Sequence, residues 1–484
     1  MIPATNRLSS SFRDPSGFLF SENGILFRAV SHRYRQHYDH LAQSGLYDEL
    51  VAEDLLIPHQ EIDLGAIEHF SGNREEIYKI LQPEIVPFIS YPYEWCFSHL
   101  KDAALTTLKI QKQALDHGMV LKDASAYNVQ LHKGKPLLID TLSFEIYQED
   151  QPWVAYRQFC QHFLAPLALM ASCDIRLGQL MRIYIDGLPL DLASALLPIS
   201  TWLKPALLTH IHMHARAQTH YAKSEGPGIG GLGAISPEIG IVPPNSQRTV
   251  TKQSLSALIH HLESTIAAMQ WRAAGTEWAD YYEDTNYSPE AMNHKKKLVE
   301  AYLIESNPRT VWDLGANTGV FSRIATAKDI DTVAFDVDPA AVERNYQQVR
   351  ENKEKKILPL CLDLTNPSPS IGWANKERLS LVEREPADTV LALALIHHLA
   401  ISNNVPFSHI AAYLSRLCRF LIIEFVPKND SQVQRLLRTR EDIFYDYTQD
   451  HFEASFGDHF SILKHERIMG TQRTLYLMDK RNAN

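Results

Sequence analysis

At 484 residues the chain is longer than one ordinary domain of about 100 to 200 residues, so its length predicts two or three domains. Hydrophobic residues make up 45% and charged residues 21% of the chain, which is typical of a folded globular protein and excludes disorder as the default. The net charge of −10 disfavours nucleic acid as a partner. The five cysteines lie far apart and form no CxxC pair, so we expect neither a disulfide framework nor a metal site, and we expect the protein to be located in the reducing cytoplasm.

Helical patterns dominate residues 1–222. Apolar residues recur at helical spacing in "AALTTLKIQKQALDHG" and "VAYRQFCQHFLAPLALMA". The N-terminus lacks the apolar core of a secretion signal, and nowhere do about 18 uncharged apolar residues run together, so we expect no membrane span. These features predict a mainly helical N-terminal domain in a cytoplasmic protein.

This region contains a second pattern. Asp123 and Asn128 are spaced as D-x-x-x-x-N, and Asp140 ends the apolar run "PLLID". The pattern resembles the catalytic loop and metal-binding Asp of protein-kinase-like and aminoglycoside-phosphotransferase-like folds. Leu121 and Lys122 stand where kinases have His-Arg, and no glycine-rich loop is recognisable upstream. The resemblance implies a kinase-like N-terminal domain, with an ordinary Asp-Asn turn between strands as the alternative.

Residues 223–250 concentrate glycine and proline without any regular period, which predicts a linker. The domain predicted over 251–484 begins with a helical lead-in, after which apolar runs alternate with amphipathic helices. The runs are 310–315, 331–338, 356–364, 388–396 and 420–426. Near-continuous apolar strands belong in a parallel sheet covered on both faces, so we predict an α/β, doubly wound, Rossmann-like sheet. Two strand-like pieces joined at Gly470 and Thr471 predict an antiparallel edge hairpin.

The stretch "VWDLGANTG" (311–319) lies at the first strand-to-helix turn, the usual place for an adenosine-containing cofactor in such a sheet. Gly315 and Gly319 permit backbone torsions and close ligand approach. A phosphate-loop sequence is absent, and Asn317 replaces the middle glycine of a dinucleotide fingerprint, so pyrophosphate binding is disfavoured. Asp336 ends the second strand, about 20 residues after the glycines. A carboxylate at this place can accept hydrogen bonds from both ribose hydroxyls.

The sequences "DLGANTG", "FDVDP" and "CLDL" on successive strands resemble class I S-adenosylmethionine-dependent methyltransferases, over about residues 275–480. The resemblance implies that the glycine turn holds the methionine portion of S-adenosyl-L-methionine, through Asp313, Gly315 and Gly319. It also implies that Asp336 binds the ribose and that Asp363 contacts the adenine amino group. We include Asn317 among the cofactor-binding residues because it lies in this turn, although many family members have glycine there.

Candidate catalytic residues lie at the ends of the fourth and fifth strands. Methyl transfer needs an aligned nucleophile and, where that nucleophile is protonated, a base. His397 and His398 in "LIHHLA" are candidate bases, with packing or capping as the alternative for each. Glu424 either faces the acceptor or is a solvated loop charge. The [DN]PP[YF] sequence of amino-methylating members is missing, which disfavours an exocyclic base amine as acceptor.

Aromatic residues precede the second domain. Trp278, Tyr281, Tyr282 and Tyr287 are predicted to form a lid over the cofactor or a wall of the acceptor pocket, with Tyr287 favoured because it lies in a turn-like stretch. Ordinary packing is the alternative for all four.

The sequence therefore predicts an S-adenosyl-L-methionine-dependent methyltransferase that acts on a small-molecule or protein acceptor presented by the N-terminal domain. The whole chain also resembles bacterial two-part methyltransferases, some of them grouped with a nodulation-associated protein of rhizobia. One alternative is a kinase-like phosphotransferase using Asp123, Asn128 and Asp140. Another is a non-catalytic protein that senses the cofactor. The acceptor and the oligomeric state are left open.

Overall fold

The computed structural model describes residues 7–67, 70, 73–216, 250–273, 287–384, 386–438 and 440–481. These residues divide into two compact units, the first from the ranges 1–86, 90–272 and 372–378 and the second from 87–89, 273–371 and 379–484. Nearly all of the predicted linker lies outside the described residues. The helix Lys252–Ala268 belongs to the first unit, whereas the predicted boundary placed it in the second. The domain boundaries otherwise stay predictions.

The first unit has eight strands within its described residues: β1 Gly17–Glu22, β2 Ile25–Ser31, β3 His59–Ile62, β4 Ile77–Pro83, β5 Met119–Leu121, β6 Val129–His132, β7 Lys135–Leu138 and β8 Phe144–Ile146. An antiparallel sheet has the order β1-β2-β4-β3, and β5 pairs with β8 and β6 with β7. Phe20, Phe27, Ala29 and Ile80 bury one face of the sheet, since alternate residues of a strand point to the same side.

The helices of this unit are α1 Arg35–Gln43, α2 Leu46–Ala52, α3 Phe97–Asp116, α4 Tyr156–Phe159, α5 Ala165–Ser172, α6 Leu180–Ile183, α7 Leu190–Leu196, α8 Pro205–Leu207 and α9 Lys252–Ala268, with π-helical turns at Cys160–Leu164 and Leu208–Met213. Helix α9 packs along α3, and Lys112 pairs with Glu263 at 3.0 Å. The unit thus contains the predicted helices together with a sheet that the prediction of a mainly helical domain underestimated. Its kinase-like character stays a prediction.

The second unit contains β9 Thr310–Leu314, β10 Asp331–Asp336, β11 Ile357–Cys361, β12 Ala387–Ala392, β13 Cys418–Phe425, β14 Phe460–Arg467 and β15 Thr474–Lys480. They form one sheet in the order β11-β10-β9-β12-β13-β15-β14. The first five of these are parallel, and β15 is antiparallel to both of its neighbours. The predicted α/β architecture is confirmed, and each of the five apolar runs forms a strand.

The helices of the second unit are α10 Pro289–Ser306, α11 Ser322–Thr326, α12 Pro339–Asn352, α13 Phe407–Leu417, α14 Ser431–Leu437 and α15 Gln449–Gly457. Val299 and Tyr302 of α10 join Val311, Leu391 and Ile422 of the sheet in one core cluster. The strand order reverses at β9, between β10 and β12, and such a switch point opens a crevice at the carboxyl ends of the strands. No helix in the described part of the chain has both the length and the apolar character of a membrane span.

Candidate active site

A cavity of about 380 Å³ lies at the carboxyl ends of β9, β10 and β12. This volume falls within the range of about 300–1,000 Å³ that is usual for small-molecule sites. The cavity brings together six of the predicted site residues, namely Tyr287, Asp313, Gly315, Asn317, Asp336 and His398. Four residues that were predicted for the same site do not line it, namely Gly319, Asp363, His397 and Glu424.

The turn after β9 has three residues in the left-handed region: Gly315 at φ 77°, Asn317 at φ 51° and Gly319 at φ 78°. A Cβ on Gly315 would meet only Leu395, at 3.5 Å, so this glycine leaves the backbone open to the cavity. A Cβ on Gly319 would instead come within 2.7 Å of the Asn345 side chain, so glycine is needed here to let that side chain pack against the backbone. Asn317 is tolerated because Asn adopts this conformation more readily than most residues.

Two carboxylates face the cavity, and each is held by short hydrogen bonds. Asp336 accepts from the backbone N–H groups of Asn317 at 2.7 Å and Asp338 at 2.8 Å, while Asp313 accepts from the Ser322 hydroxyl at 2.6 Å. Burial raises the pKa of both carboxyl groups to about 6. The free protein therefore holds two carboxylates in an environment that disfavours their charge, and a cationic or hydroxyl-rich ligand would relieve this.

Val337 and Asp363 differ in their relation to the cavity. Val337 directly follows β10, lines the cavity and is 56% exposed, so it offers an apolar surface beside Asp336. Asp363 is exposed, and its Oδ1 accepts hydrogen bonds from the backbone and hydroxyl of Thr365 at 2.8 and 2.7 Å. The structure thus does not bring Asp363 to the cavity wall, where the sequence predicted an adenine contact.

Glu424, at the end of β13, is completely buried among donors. Its carboxylate accepts from the ammonium group of Lys295 at 2.6 Å, the backbone N–H of Ala394 at 2.9 Å and the hydroxyl of Tyr287. The guanidinium of Arg473 lies 3.4 Å away and also donates to the Tyr287 hydroxyl, at 2.9 Å. Glu424 thereby fixes the loop after β12, where Ala394 has a left-handed φ of 51°.

These contacts decide the charge of Glu424. Burial opposes its ionisation, but the positive charges of Lys295 and Arg473 outweigh burial and lower the pKa of its carboxyl group. Arg473 is itself anchored by Asp430, at 2.8 and 3.0 Å. An ionised carboxylate that already accepts several hydrogen bonds is a poor proton acceptor. The position of Glu424 therefore suits anchoring better than base catalysis.

The two neighbouring histidines have different surroundings. His398 lines the cavity, and burial together with the charge of Arg473 lowers the pKa of its imidazole to about 4. His397 is only 2% exposed, and its Nδ1 has no hydrogen-bond partner among the described residues. Burial, followed by the neighbouring His398, lowers the pKa of His397 well below its usual value. Both rings are neutral at pH 7, and only His398 is placed to meet a ligand.

Of the four residues of the predicted aromatic lid, Tyr287 lies within the described residues. It lines the cavity, and its hydroxyl donates a hydrogen bond to Glu424. Trp278, Tyr281 and Tyr282 lie outside the described residues.

In the first unit, the carboxylate of Asp140 accepts hydrogen bonds from side-chain and backbone donors on both of its oxygens. Its Oδ1 pairs with the guanidinium of Arg28 on β2 at 2.6 Å and accepts from the backbone of Leu142 at 3.0 Å. Its Oδ2 accepts from the hydroxyl of Ser143 at 2.8 Å, and the Asn128 amide donates to the same hydroxyl at 3.3 Å. The carboxylate that resembles a metal ligand is thus paired with an arginine.

Asp123 is engaged in a similar way. Its Oδ1 accepts from the backbone N–H of Ser125 at 3.0 Å and from the side-chain amide of Gln158 at 2.8 Å. Burial and the neighbouring Asp140 raise the pKa of its carboxyl group. Over the described ranges, no three His, Cys, Asp or Glu side chains form a group that could hold a metal ion.

The second unit is a doubly wound α/β unit with a cavity at the switch point of its sheet. No family model matches the chain. The chain belongs to the family of the nodulation protein NoeA. It is 34% identical to NoeA of Rhizobium meliloti (strain 1021) over 480 aligned residues, and the alignment covers 99% of this chain and 97% of that protein.

Solved structures of methyltransferases are similar to part of the chain. Magnesium protoporphyrin IX methyltransferase from Synechocystis PCC 6803, with bound SAH, is 18% identical with a TM-score of 0.31, over 42% of this chain and 93% of its own. The N-methyltransferase NodS from Bradyrhizobium japonicum WM9, in complex with SAH, is 11% identical with a TM-score of 0.31, over 43% of this chain and 94% of its own. WbdD, crystallised with a kinase inhibitor, is 17% identical with a TM-score of 0.28, over 41% of this chain and 43% of its own. Likenesses this weak do not bear on function.

Proposed function

We propose that the chain is an S-adenosyl-L-methionine-dependent methyltransferase whose cofactor site is the cavity at the carboxyl ends of β9 and β10. The observation that carries the proposal is the meeting of Asp313, Gly315 and Asp336 around one cavity at the switch point of the sheet. In such sheets, nucleotide cofactors bind at this place.

The residues present fit this cofactor. Gly315 leaves room for a ligand against the backbone, and Val337 offers an apolar surface for a base. Asp336 has lone pairs for ribose hydroxyls beyond those used by its two backbone donors. We assign Asp313 to the ammonium group of the ligand. Burial raises the pKa of its carboxyl group to about 6 although the charge of Lys295 opposes this increase, so a cationic group bound beside it would stabilise the carboxylate further.

The chemistry assigns different roles to the candidate catalytic residues. When bound, the cofactor supplies a methyl group on a sulfonium, which a nucleophile displaces in line. His398 faces the cavity in its neutral form and can accept a hydrogen bond from an O–H or N–H of the acceptor. We assign Glu424 to holding Tyr287, Lys295 and the Ala394 backbone in place, and His397 to packing beneath the site.

The acceptor is a small molecule or a protein, and we propose that the N-terminal domain presents it. The sequence at the end of β12 is "LALALIHHLA" and contains no [DN]PP[YF] motif, which disfavours an exocyclic base amine as the acceptor. A cytoplasmic location is part of the same proposal and rests on the cysteine pattern.

The contacts of the first unit disfavour the phosphotransferase alternative. Magnesium-dependent phosphoryl transfer needs an Asp and an Asn that are available to the metal. Asp140 is instead paired with Arg28 at 2.6 Å, and Asn128 donates to Ser143. We therefore propose a kinase-like scaffold without phosphoryl transfer. A non-catalytic, cofactor-sensing protein is the other alternative, and methyl turnover on any acceptor would exclude it.

Isothermal titration with S-adenosylhomocysteine tests the binding part of the proposal. We expect the wild type to bind, Asp336→Asn to lose most of its affinity, and the matched control Asp363→Asn to keep it, because Asp363 is away from the cavity. Equal loss in both variants would contradict the assigned site. Transfer of a tritiated methyl group into a fractionated lysate of the source cell then tests turnover and gives the size of the acceptor.

A further inference from the structure

The amino-acid end of the proposed cofactor carries an ammonium group and a carboxylate. Asp313 can accept from the ammonium group, and a positive side chain would give the carboxylate a charge-assisted hydrogen bond. Among the described residues that line the cavity, Lys295 is the one with a cationic side chain, because His398 is neutral. Lys295 lies within the run "HKKKLV" on α10, where three successive lysines do not distinguish a binding residue from a solvated one.

The position of the Lys295 ammonium group is well defined. Its side chain is 3% exposed, and Nζ lies 4.9 Å from the ring centre of Tyr287 and 4.7 Å from that of Phe321, both on the cavity wall. The rings attract the cation and restrict where it can move. Nζ donates to Glu424 at 2.6 Å and to the Tyr287 hydroxyl at 3.4 Å. An ammonium group has three donors, so these partners, in the part of the chain that is described, leave one N–H for a ligand.

Lys295 and Asp313 lie close enough to influence one another. Burial raises the pKa of the Asp313 carboxyl group, and the charge of Lys295 partly opposes this increase. One cavity thus has both a carboxylate and an ammonium group in its lining, which is the charge pattern that complements an amino-acid zwitterion.

We propose, on the basis of the proposed function, that Lys295 binds the carboxylate of the cofactor's methionine portion while Asp313 takes its ammonium group. The cavity then selects adenosyl ligands with an intact amino-acid end. Lys295 has a competing structural role, because its charge also neutralises Glu424, and the experiment has to separate the two.

The ligands for the experiment are S-adenosylmethionine, its decarboxylated analogue and 5′-methylthioadenosine, which lacks the whole amino-acid end. Calorimetric dissociation constants are measured for the wild type, Lys295→Met, and the double variant Lys295→Met with Glu424→Gln, which removes both buried charges together. Lys296→Met is the matched control, because Lys296 is exposed on the same helix and its loss changes the net charge equally. Melting temperatures show whether each variant is folded.

We expect the wild type and Lys296→Met to bind S-adenosylmethionine at least about 10-fold more tightly than the decarboxylated analogue, as a charge-assisted hydrogen bond would provide. This preference should disappear in Lys295→Met and in the double variant, while affinity for 5′-methylthioadenosine changes less than about threefold. Lys295→Arg should retain part of the preference.

Two results would overturn the role of Lys295 while leaving the proposed function intact. One is a wild type that binds S-adenosylmethionine and its decarboxylated analogue equally well. The other is a double variant that regains the wild-type preference, because neutralising Glu424 would then be the whole contribution of Lys295. If the folded wild type bound none of the three ligands, the proposed function would fail and the role of Lys295 with it.

Discussion

The exchange Asp336→Asn separates the stability of the second unit from its affinity for the cofactor. The pKa of the buried Asp336 carboxyl group is raised from its usual 3.8 to about 6. Holding the ionised form at pH 8 therefore costs roughly 3 kcal/mol relative to an exposed carboxylate. Asn removes this cost, although its amide must face one of the two N–H donors from Asn317 and Asp338. We expect the melting temperature of the free protein at pH 8 to be unchanged or higher.

Affinity should change in the opposite direction. A carboxylate that accepts from ribose hydroxyls makes charge-assisted hydrogen bonds, and losing them should weaken S-adenosylhomocysteine binding by roughly 100-fold, or about 3 kcal/mol. Asp336 binds a proton more tightly in the folded than in the unfolded state, so its contribution to the free energy of unfolding falls as pH rises from about 4 to about 6. The variant should accordingly gain in melting temperature relative to wild type between pH 5 and pH 8.

Calorimetry at pH 5 and pH 8, together with titration of both proteins, measures these effects. A variant that melts far below wild type at pH 8 would show that Asp336 is mainly structural. Affinity within threefold of wild type would show that the carboxylate does not contact the ligand.

Three further predictions concern the site and the first unit. Affinity for S-adenosylmethionine should fall as pH decreases below about 6, because Asp313 and Asp336 become protonated and lose their attraction for a cationic ligand; a flat titration profile between pH 5 and pH 8 would contradict this. Gly315→Ala should weaken S-adenosylhomocysteine binding by about 10-fold or more, through a strained φ and a methyl group directed at the cavity; Gly470→Ala, at φ 74° with nothing within 4 Å, controls for strain alone and should leave binding unchanged. Arg28→Met should lower the free energy of unfolding by about 3 kcal/mol, because it leaves the partly buried Asp140 carboxylate without its cation; an unfolding free energy within about 0.5 kcal/mol of wild type would contradict this. Magnesium-dependent ATP binding by the wild type would contradict the proposed scaffold without phosphoryl transfer.

The sheet of the second unit could be predicted because its signal is local. Each parallel strand is apolar along its whole length, as in the run 388–396, and the turn residues at its end follow directly in sequence. Asp313, Gly315 and Asp336 were found by the same reasoning, since the carboxyl ends of neighbouring strands meet at one edge.

The buried ionic cluster of Lys295, Glu424 and Arg473 was not predicted from the sequence. Lysine and arginine are normally exposed, so burial of Lys295 and Arg473 goes against the usual preference of their side chains. It depends on partners far away in sequence: Glu424 is 129 residues from Lys295 and 49 from Arg473. A pattern limited to one segment carries no information about such pairs. For this reason the sequence indicated that Glu424 was either a catalytic residue or a solvated loop charge.

Two smaller differences have local causes. Asp363 follows β11 as expected, but its side chain folds back onto Thr365 and the residue is exposed, a turn geometry that strand spacing does not specify. Val337 was overlooked because an apolar residue after a strand carries little signal by itself, although its position directly after Asp336 could have suggested a surface for a base.

Titration of the wild-type chain with S-adenosylmethionine, repeated with Asp336→Asn and Asp363→Asn, tests the central claim most directly. We predict saturable, one-to-one binding by the wild type and by Asp363→Asn, and severely weakened binding by Asp336→Asn. A folded wild-type protein that takes up no S-adenosylmethionine would contradict the assignment of this cavity as the cofactor site of a methyltransferase.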